Sequence, residues 1–565
     1  MGCNPQGKMT DIVQELVGAL QETVDIFRRK QILTKDYLVQ KNDVTIPRER
    51  GYGEYCTPIL SRIPSTLPRE QLFQEFSQTL GTVLKNRGCA FIKKINIVFP
   101  VFLNFHLNPE VLQERLRSII KNNKAGIEDI GQGKKVLLEF VSANPTGPLT
   151  IAHGRQAAFG EALGRILSHS GYRVTREYYL NDEGRQIDLL GESLKVRCRM
   201  ILGEELLIPE DGYQGEYLVP IAQKLVSEFG PAIKEKESGF FSRAAMQEIL
   251  EGIKRDLLDF GIAFDSYQSQ RELAEQGLVL ETLRILEELG ATYVSESALF
   301  LKTTSFGDDK DRVLRKKDGS YTYLVPDLAY HRVKFQKGYD LIINLWGPDH
   351  YGYINRLKAG VSFLGFNPEK IKIIIVQLTT LFRGEEKLKM STRRGEFLPL
   401  SVLTEELSPD VTRFFFLSRK ANSHLDFDLQ LAKKDSAENP VFYLQYATAR
   451  IASIFRYQQE KMPEVSFDPE QVDLSLLQEP EELELMLLLS RFGPSVLVAA
   501  QNLEPQILLA YLLSLVKTFH QYYQRCQIVG LDENLTLARL SLILGLENVL
   551  KKGLFLLNVY APERM

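Results

Sequence analysis

Apolar residues recur once per turn at Ile12, Leu16, Leu20 and Val24, so the pattern predicts an amphipathic helix within residues 9–33. The segment Ile95-Asn96-Ile97-Val98-Phe99 alternates instead, the period-two signature of a half-buried strand. The two patterns define a small α+β unit. It is expected to run to about residue 128, with the polar stretch 121–133 as a linker.

From Val136 the texture changes. A mostly apolar run, Val136 to Val141, interrupted by Glu139, reads as a buried-type strand and ends in the breaker-rich Ser142-Ala143-Asn144-Pro145-Thr146-Gly147-Pro148. A helix follows with Ala158, Ala162 and Ile166 on one face, then a strand near Tyr172 to Tyr179, which completes a βαβ unit. A second begins at Leu341-Ile342-Ile343-Asn344-Leu345, crosses a helix from about Tyr351 to Leu364 and returns as Ile371 to Val376. Two such halves predict a Rossmann-like, doubly wound parallel sheet. Between them, residues 183–255 read as a mostly helical insertion, and Val313 to Tyr323 as a hairpin turning at Asp318-Gly319. Beyond Ser408-Pro409, a capping serine with proline in the first turn, helical spacing over 443–458, 482–500, 506–526 and 535–552 predicts a bundle. The expected fold class is multidomain α/β: an α+β domain over 1–128, a Rossmann-like catalytic core over 129–405 and an α-helical bundle over 406–565.

Length agrees with several domains, since 565 residues exceed what one hydrophobic core serves. Apolar residues at 44% and charged residues at 25% describe a chain that folds throughout. A net charge of −3, from 69 basic and 72 acidic residues, announces no polyanion partner in bulk, so any RNA contact must use local patches. Cys3, Cys56, Cys89, Cys198 and Cys526 are scattered, with neither the CxxC pairs of a zinc site nor the density of a secreted scaffold, and point to a reducing, cytoplasmic setting. The opening Met1-Gly2-Cys3-Asn4-Pro5-Gln6 lacks the Ser or Thr that myristoylation wants at Gln6. No run approaches ~18 consecutive apolar residues, so no membrane span is expected.

Two stretches carry candidate chemistry. The turn from Pro145 through Thr146, Gly147, Pro148, Leu149, Thr150, Ile151, Ala152 and His153 to Gly154 and Arg155 joins the first strand to its helix, where free N–H groups and the helix dipole favour phosphate. His153 can donate to a phosphoryl oxygen, and small Ala152 and Gly154 leave room for a ligand, although a lone first-turn histidine is ordinarily a cap. The second stretch, Lys387-Leu388-Lys389-Met390-Ser391-Thr392-Arg393-Arg394, follows a strand of the second half. There Lys387, Lys389 and Arg393 can stabilise charge developing on departing pyrophosphate.

The Thr150 to His153 turn resembles the first signature of class I aminoacyl-tRNA synthetases, HIGH in one-letter code, and Lys389 to Arg393 resembles the second, KMSKS. Neither is specific alone; their order and placement on two βαβ halves are. The wider resemblance is to arginyl-tRNA synthetases. It rests on Glu139 to Pro148, Arg176 to Asp182, Thr322 to His331, Trp346-Gly347-Pro348-Asp349-His350, His424 to Asp428 and the closing Ala561-Pro562-Glu563-Arg564-Met565.

That resemblance implies an arginine–tRNA ligase. Arginine would be activated by ATP to arginyl-adenylate, with bound tRNA required, and transferred to the terminal ribose of tRNA(Arg). Magnesium would travel with ATP as substrate, with no permanent cofactor and no protein metal cage. His153, Thr150, Lys389 and Arg393 would be catalytic. Pro145, Gly147, His153, Gly154, Asp349, His350, Lys387, Lys389, Met390 and Ser391 would hold ATP. Tyr323 and Asp327 would face the guanidinium, whose planar cation calls for a carboxylate and oriented polar groups. Glu139, Ser142 and Asn144 would hold the backbone end of arginine, and Gln270 stands where many relatives place an acid beside it.

In the bundle, Lys517-Thr518-Phe519-His520-Gln521-Tyr522-Tyr523-Gln524-Arg525 interleaves aromatics and bases. Phe519 and Tyr522 are expected in the core, and Tyr523 and Arg525 on tRNA. From Val441 onward there are 10 basic against 14 acidic residues, so this assignment leans on resemblance more than charge. The N-terminal unit, with Gly51 to Tyr55 and Phe102 to Phe105, resembles the extra domain that meets the D-loop side of tRNA. The expected partners are tRNA(Arg), ATP and L-arginine, with no membrane and a monomeric chain. Thr150, Ala152, Thr392 and Gln270 depart from the usual residues. They keep open a tRNA-binding paralogue with weakened or lost activation, and beside it a class I synthetase for another amino acid.

Overall fold

A computed structural model describes residues 12–47, 51–122, 126–388, 398–530 and 532–565. They group into two compact units. One comprises Met1–Gly126, Ile454–Arg491 and Lys517–Val549, the other Ile127–Ser453, Phe492–Val516 and Leu550–Met565.

The second unit is built on a five-stranded sheet. Its strands are β1 (Lys135–Glu139), β2 (Arg173–Leu180), β3 (Ser266–Ser269), β4 (Leu341–Trp346) and β5 (Ile371–Ile375), in the order β5-β4-β1-β2-β3. Every pairing is parallel: Leu137 faces Thr175 in β2 and Ile342 in β4. The chain winds outward from β1 to β2 and β3, then restarts at β4 on the other side of β1. That reversal opens a crevice at the carboxyl ends of β1 and β4, where doubly wound sheets bind ligands. Val136, Leu137, Leu138, Ile342 and Ile343 are fully buried, as strands covered on both faces require.

Helix α1 (Ile151–His169) crosses from β1 to β2 and lies so close to the sheet that a Cβ on Gly160 would stand 2.4 Å from the Phe140 ring. Helix α2 (Leu324–Gln336) precedes β4 and buries Leu324, Val325, Leu328 and Ala329. The insertion is helical as expected, with helices Arg185–Ile201, Leu218–Phe229 and Ser238–Asp259.

Two smaller sheets complete this unit. Strands Thr292–Ser295, Ala298–Leu301 and Arg312–Arg315 form an antiparallel sheet. Only the first arm of the expected 313–323 hairpin is a strand. Gly319 takes φ +85° in the turn and Tyr321 makes a single bridge to Arg315, before α2 begins at Leu324 with Pro326 in its first turn. Thr379–Arg383 pairs in parallel with Leu425–Asp428 and antiparallel with Glu386–Lys387. The strand leading into the cation-rich loop therefore lies in its own sheet, outside the main one.

In the first unit, helices Ile12–Arg29 and Arg69–Asn86 accompany an antiparallel sheet of Tyr55–Thr57, Phe102–Leu107 and Ile92–Val98. Ile12, Leu16, Leu20 and Val24 are all buried, the face that the spacing predicts.

The C-terminal helices are Pro440–Lys461, Pro480–Ser490, Phe492–Asn502, Gln506–Arg525 and Glu533–Leu556. The helix expected over 482–500 breaks at Arg491, because Pro494 has no N–H to donate and its ring crowds the carbonyl of the preceding turn. Residues 480–502 are long and apolar enough to cross a membrane by composition. Leu485, Met486, Leu489, Phe492, Val496 and Ala499 within them are buried by packing.

Candidate active site

The turn after β1 shapes the crevice between β1 and β4. Val141 and Ser142 both adopt positive φ, +67° and +41°, which costs a non-glycine residue roughly 1–3 kcal/mol and persists only where neighbours enforce it. Ser142 is enforced from two sides: its Oγ donates to Glu139 Oε1 at 3.2 Å and accepts the Tyr179 N–H at 3.0 Å. Asn144 donates to Gln186 Oε1 of the insertion at 2.7 Å, and the Tyr217 hydroxyl donates to the carbonyl of Thr146 at 2.5 Å. Gly147 lies under the Tyr217 ring, and Pro145 is buried beside it.

Thr150 caps α1. Its N–H donates to His153 Nδ1 at 3.1 Å, so that nitrogen is unprotonated and Nε2 carries the hydrogen. Burial lowers the imidazole pKa to about 4, which leaves His153 a neutral donor. Gly154, expected to admit a ligand, admits neighbouring side chains instead, since a Cβ there would stand 2.6 Å from Leu400 and 3.0 Å from Phe416.

Residues 389–397, with Lys389, Met390, Ser391 and Arg393, lie outside the described residues. Their flanks are fixed. Leu388 bonds to the Leu381 carbonyl at 3.0 Å, while Leu400 donates to the Leu149 carbonyl at 2.8 Å and Pro399 bridges Thr150. The far flank of the cation-rich loop is thus hydrogen-bonded to the turn that carries His153. Lys387 is exposed on its short strand, and Asp349 and His350 are exposed in the turn after β4.

Arg155 is a residue that sequence reading missed. Almost wholly buried, its guanidinium donates to the carbonyls of Gln377 at 2.8 Å, Lys420 at 2.9 Å and Ser423 at 2.9 Å. Burial lowers its pKa to about 10, so it remains charged while tying α1 to the loops that lead into Thr379–Arg383 and Leu425–Asp428. A basic residue one position past a glycine gives no sign of this.

The second part of the crevice is an acidic, aromatic recess. Tyr179 at the end of β2 stacks on Tyr330 of α2, with ring centroids 4.3 Å apart at 15°. Its hydroxyl donates to Gln270 Oε1 at 3.0 Å, and Gln270 Nε2 donates to Glu183 Oε1 at 3.0 Å. Asp327, in the first turn of α2, accepts the Tyr353 hydroxyl at 2.6 Å. Burial raises its carboxyl pKa to about 6, with the Glu139 charge adding to the rise and the Tyr353 bond opposing it.

Beneath the recess runs a connected buried network. Lys334 is fully buried, ion-paired to Glu139, 3.0 Å from Asn344 Oδ1 and 4.0 Å from the centre of the Tyr330 ring. His331 donates from Nδ1 to the Asp327 carbonyl at 2.8 Å and accepts from Asn344 at Nε2 at 2.9 Å, so it is neutral, as its depressed pKa requires. Every member has a partner, the condition for such a network to hold a shape rather than destabilise it.

Of the residues expected to meet arginine, the recess brings together Glu139, Ser142, Asp327 and Gln270. Tyr323 is not among them, being 67% exposed at the start of α2. Tyr179, Tyr353, Glu183 and Lys334 were missed. Only Tyr179, inside the Arg176 to Asp182 motif, carried any signal. In the other unit, Phe519 and Tyr522 are core as expected, Tyr523 is exposed, and Arg525 is exposed and ion-paired to Glu481.

Residues 444–565 match the family "DALR anticodon binding domain", and residues 115–206 and 234–422 match "tRNA synthetases class I (R), catalytic domain". The chain is similar to the arginine–tRNA ligase of Desulfosudis oleivorans, 42% identical over 93% of this chain and 95% of that one. It is likewise similar to arginine–tRNA ligase 1 of Halalkalibacterium halodurans, 40% identical over 98% of this chain and all of the other. The fold matches the Thermus thermophilus arginyl-tRNA synthetase with a TM-score of 0.73 at 22% identity, over 98% of this chain and 100% of that one.

Proposed function

The chain belongs to the arginyl-tRNA synthetases, a class I family, and from that premise we propose how its residues divide the work. The protein is an arginine–tRNA ligase that uses ATP, arginine and tRNA(Arg). A paralogue that has lost activation gains no support from relatives that are themselves arginine–tRNA ligases.

The arginine carboxylate attacks the α-phosphorus of ATP, a P–O bond forms, and pyrophosphate leaves with the electron pair of the broken bond. A terminal ribose hydroxyl of tRNA then displaces AMP from the adenylate. Neither step needs a protein nucleophile, so the enzyme's part is positioning and charge stabilisation. His153 Nε2–H and the Thr150 hydroxyl hold phosphoryl oxygens at the head of α1, beside Pro145 and Gly147 and with the backbone of Gly154. Lys387, Lys389 and Arg393 offset the charge on pyrophosphate, with Met390 and Ser391 shaping their loop, and Asp349 and His350 close the β4 side over the nucleoside. Asp327 takes the guanidinium. Glu139, Ser142 and Asn144 hold the backbone end of arginine, and Tyr323 is assigned to its side chain. Magnesium accompanies ATP as part of the substrate, with no resident cofactor.

Residues 1–128 are assigned to the D-loop side of tRNA, 129–405 to catalysis and 406–565 to the anticodon, where Tyr523 stacks and Arg525 meets phosphate. We assign a monomeric, cytoplasmic chain without a membrane role. The observation that carries the reading is Asp327, a half-buried carboxylate in the first turn of α2 without an ion-pair partner among the described residues. Aminoacylation of unfractionated tRNA with each radiolabelled amino acid tests it: arginine alone should be charged, and charging of any other amino acid contradicts the assignment of the recess.

A further inference from the structure

Four carboxylates act on the Tyr179 hydroxyl: Asp327, Glu139, Glu183 and Asp182. Two of them are already matched. Glu139 is ion-paired to the buried Lys334 and accepts from Ser142. Asp182, itself buried, accepts the Ser269 hydroxyl at 2.6 Å on one oxygen and the Arg271 N–H at 2.9 Å on the other, which pins it to the start of helix Gln270–Glu275. The remaining two, Asp327 and Glu183, each hold one neutral hydrogen bond and, among the described residues, no ion pair. Glu183 reaches the Tyr179 hydroxyl through Gln270, and Asp327 lies one helical turn before Tyr330, the ring on which Tyr179 stacks.

We infer that Glu183 is a specificity-determining residue of the arginine pocket, supplying beside Asp327 the second negative charge that faces the guanidinium; this rests on the assignment of Asp327 to that group. Arginine brings two cationic groups into the site, its ammonium and its guanidinium. Moving a guanidinium into an enclosed recess is favourable only when anions there replace its water.

Gln270 makes this arrangement possible. A carboxylate only accepts, so the amide nitrogen of Gln270 must face Glu183 and its oxygen must receive the Tyr179 hydroxyl. An acid at position 270 would set two carboxylates about 3 Å apart, and one of them would hold a proton. The amide at 270 and the acid at 183 are therefore a matched pair, and the charge expected at 270 is delivered from the loop after β2.

Equilibrium dialysis of labelled L-arginine against the full chain, with L-citrulline as the neutral competitor of equal shape, tests the inference on Glu183→Gln, on the exchange Glu183→Gln with Gln270→Glu, and on Asp327→Asn. Glu183→Gln should weaken arginine roughly tenfold, the worth of one hydrogen bond to a charged group, and lower the preference over citrulline by the same factor. The exchanged pair should regain most of both, a rescue that a merely structural role for Glu183 does not give. Unchanged arginine binding in Glu183→Gln beside a loss in Asp327→Asn overturns the inference and keeps the pocket. So does a loss that the exchange fails to restore, or one that leaves the arginine-to-citrulline ratio where it was. Unchanged binding in Asp327→Asn overturns the pocket and the inference together.

Discussion

Asp327 and His153 show how burial sets charge in opposite senses on two sides of one crevice. Burial lifts the Asp327 carboxyl from 3.8 to about 6, so the folded chain binds a proton there more tightly than the unfolded chain does. Keeping it ionised costs stability above pH ~6, and that cost is relieved on acidification. For His153 the fall from 6.5 to about 4 means the unfolded chain takes up the proton first. The neutral ring therefore favours folding above pH ~6.5, and this contribution is lost as pH falls through 4. His153 should accordingly contribute no ionisation to the kcat profile of adenylate formation between about pH 5.5 and 8. His153→Ala should lower kcat about 10²-fold, as removal of a transition-state donor does, in tRNA-dependent ATP–pyrophosphate exchange; a change in the arginine KM alone would contradict its assignment to phosphate. Asp327 and His153 were readable in the sequence because each sits in a motif of known order. Tyr353, Glu183, Lys334 and Arg155 were not, because each depends on a partner distant in sequence: Asp327 is 26 residues from Tyr353, Gln270 is 87 from Glu183, Glu139 is 195 from Lys334 and Ser423 is 268 from Arg155.

At the scale of elements, apolar runs and helical spacing locate both βαβ halves, and four of the five strands fall where the pattern places them, the four-residue edge strand Ser266–Ser269 being the exception. Length explains what was missed. Thr292–Ser295 and Ala298–Leu301 have four residues each, too few for a period to show, and they become strands through their neighbours. The break at Arg491 was legible in Pro494 but was overruled by the apolar run around it. Gly160 inside α1 lets the helix lie against Phe140, just past the end of β1. Gly160→Ala should therefore destabilise the chain by about 1–3 kcal/mol, despite the better helix propensity of alanine, because its methyl would overlap the Phe140 ring. Urea unfolding measures this, and a gain in stability would show that α1 can slide outward without loss.

Across the whole molecule, composition and charge were nearly silent about RNA, since a net charge of −3 conceals any local patch. The helical C-terminal region was legible; its division between two compact units was not, because contacts between distant segments set that division. If Tyr523 and Arg525 meet tRNA, replacing both by alanine should raise the tRNA KM in aminoacylation several-fold while the arginine and ATP KM values stay put. An unchanged tRNA KM would return both residues to the surface. The central claim, that an ionised Asp327 receives the guanidinium beside the phosphate-binding turn, is tested most directly by arginine affinity as a function of pH in the native chain and in Asp327→Asn. The native chain should bind arginine at a plateau above pH ~7 and lose about tenfold per pH unit below 6, while Asp327→Asn binds weakly with no step near 6. Affinity and pH profile shared by the two proteins would contradict it.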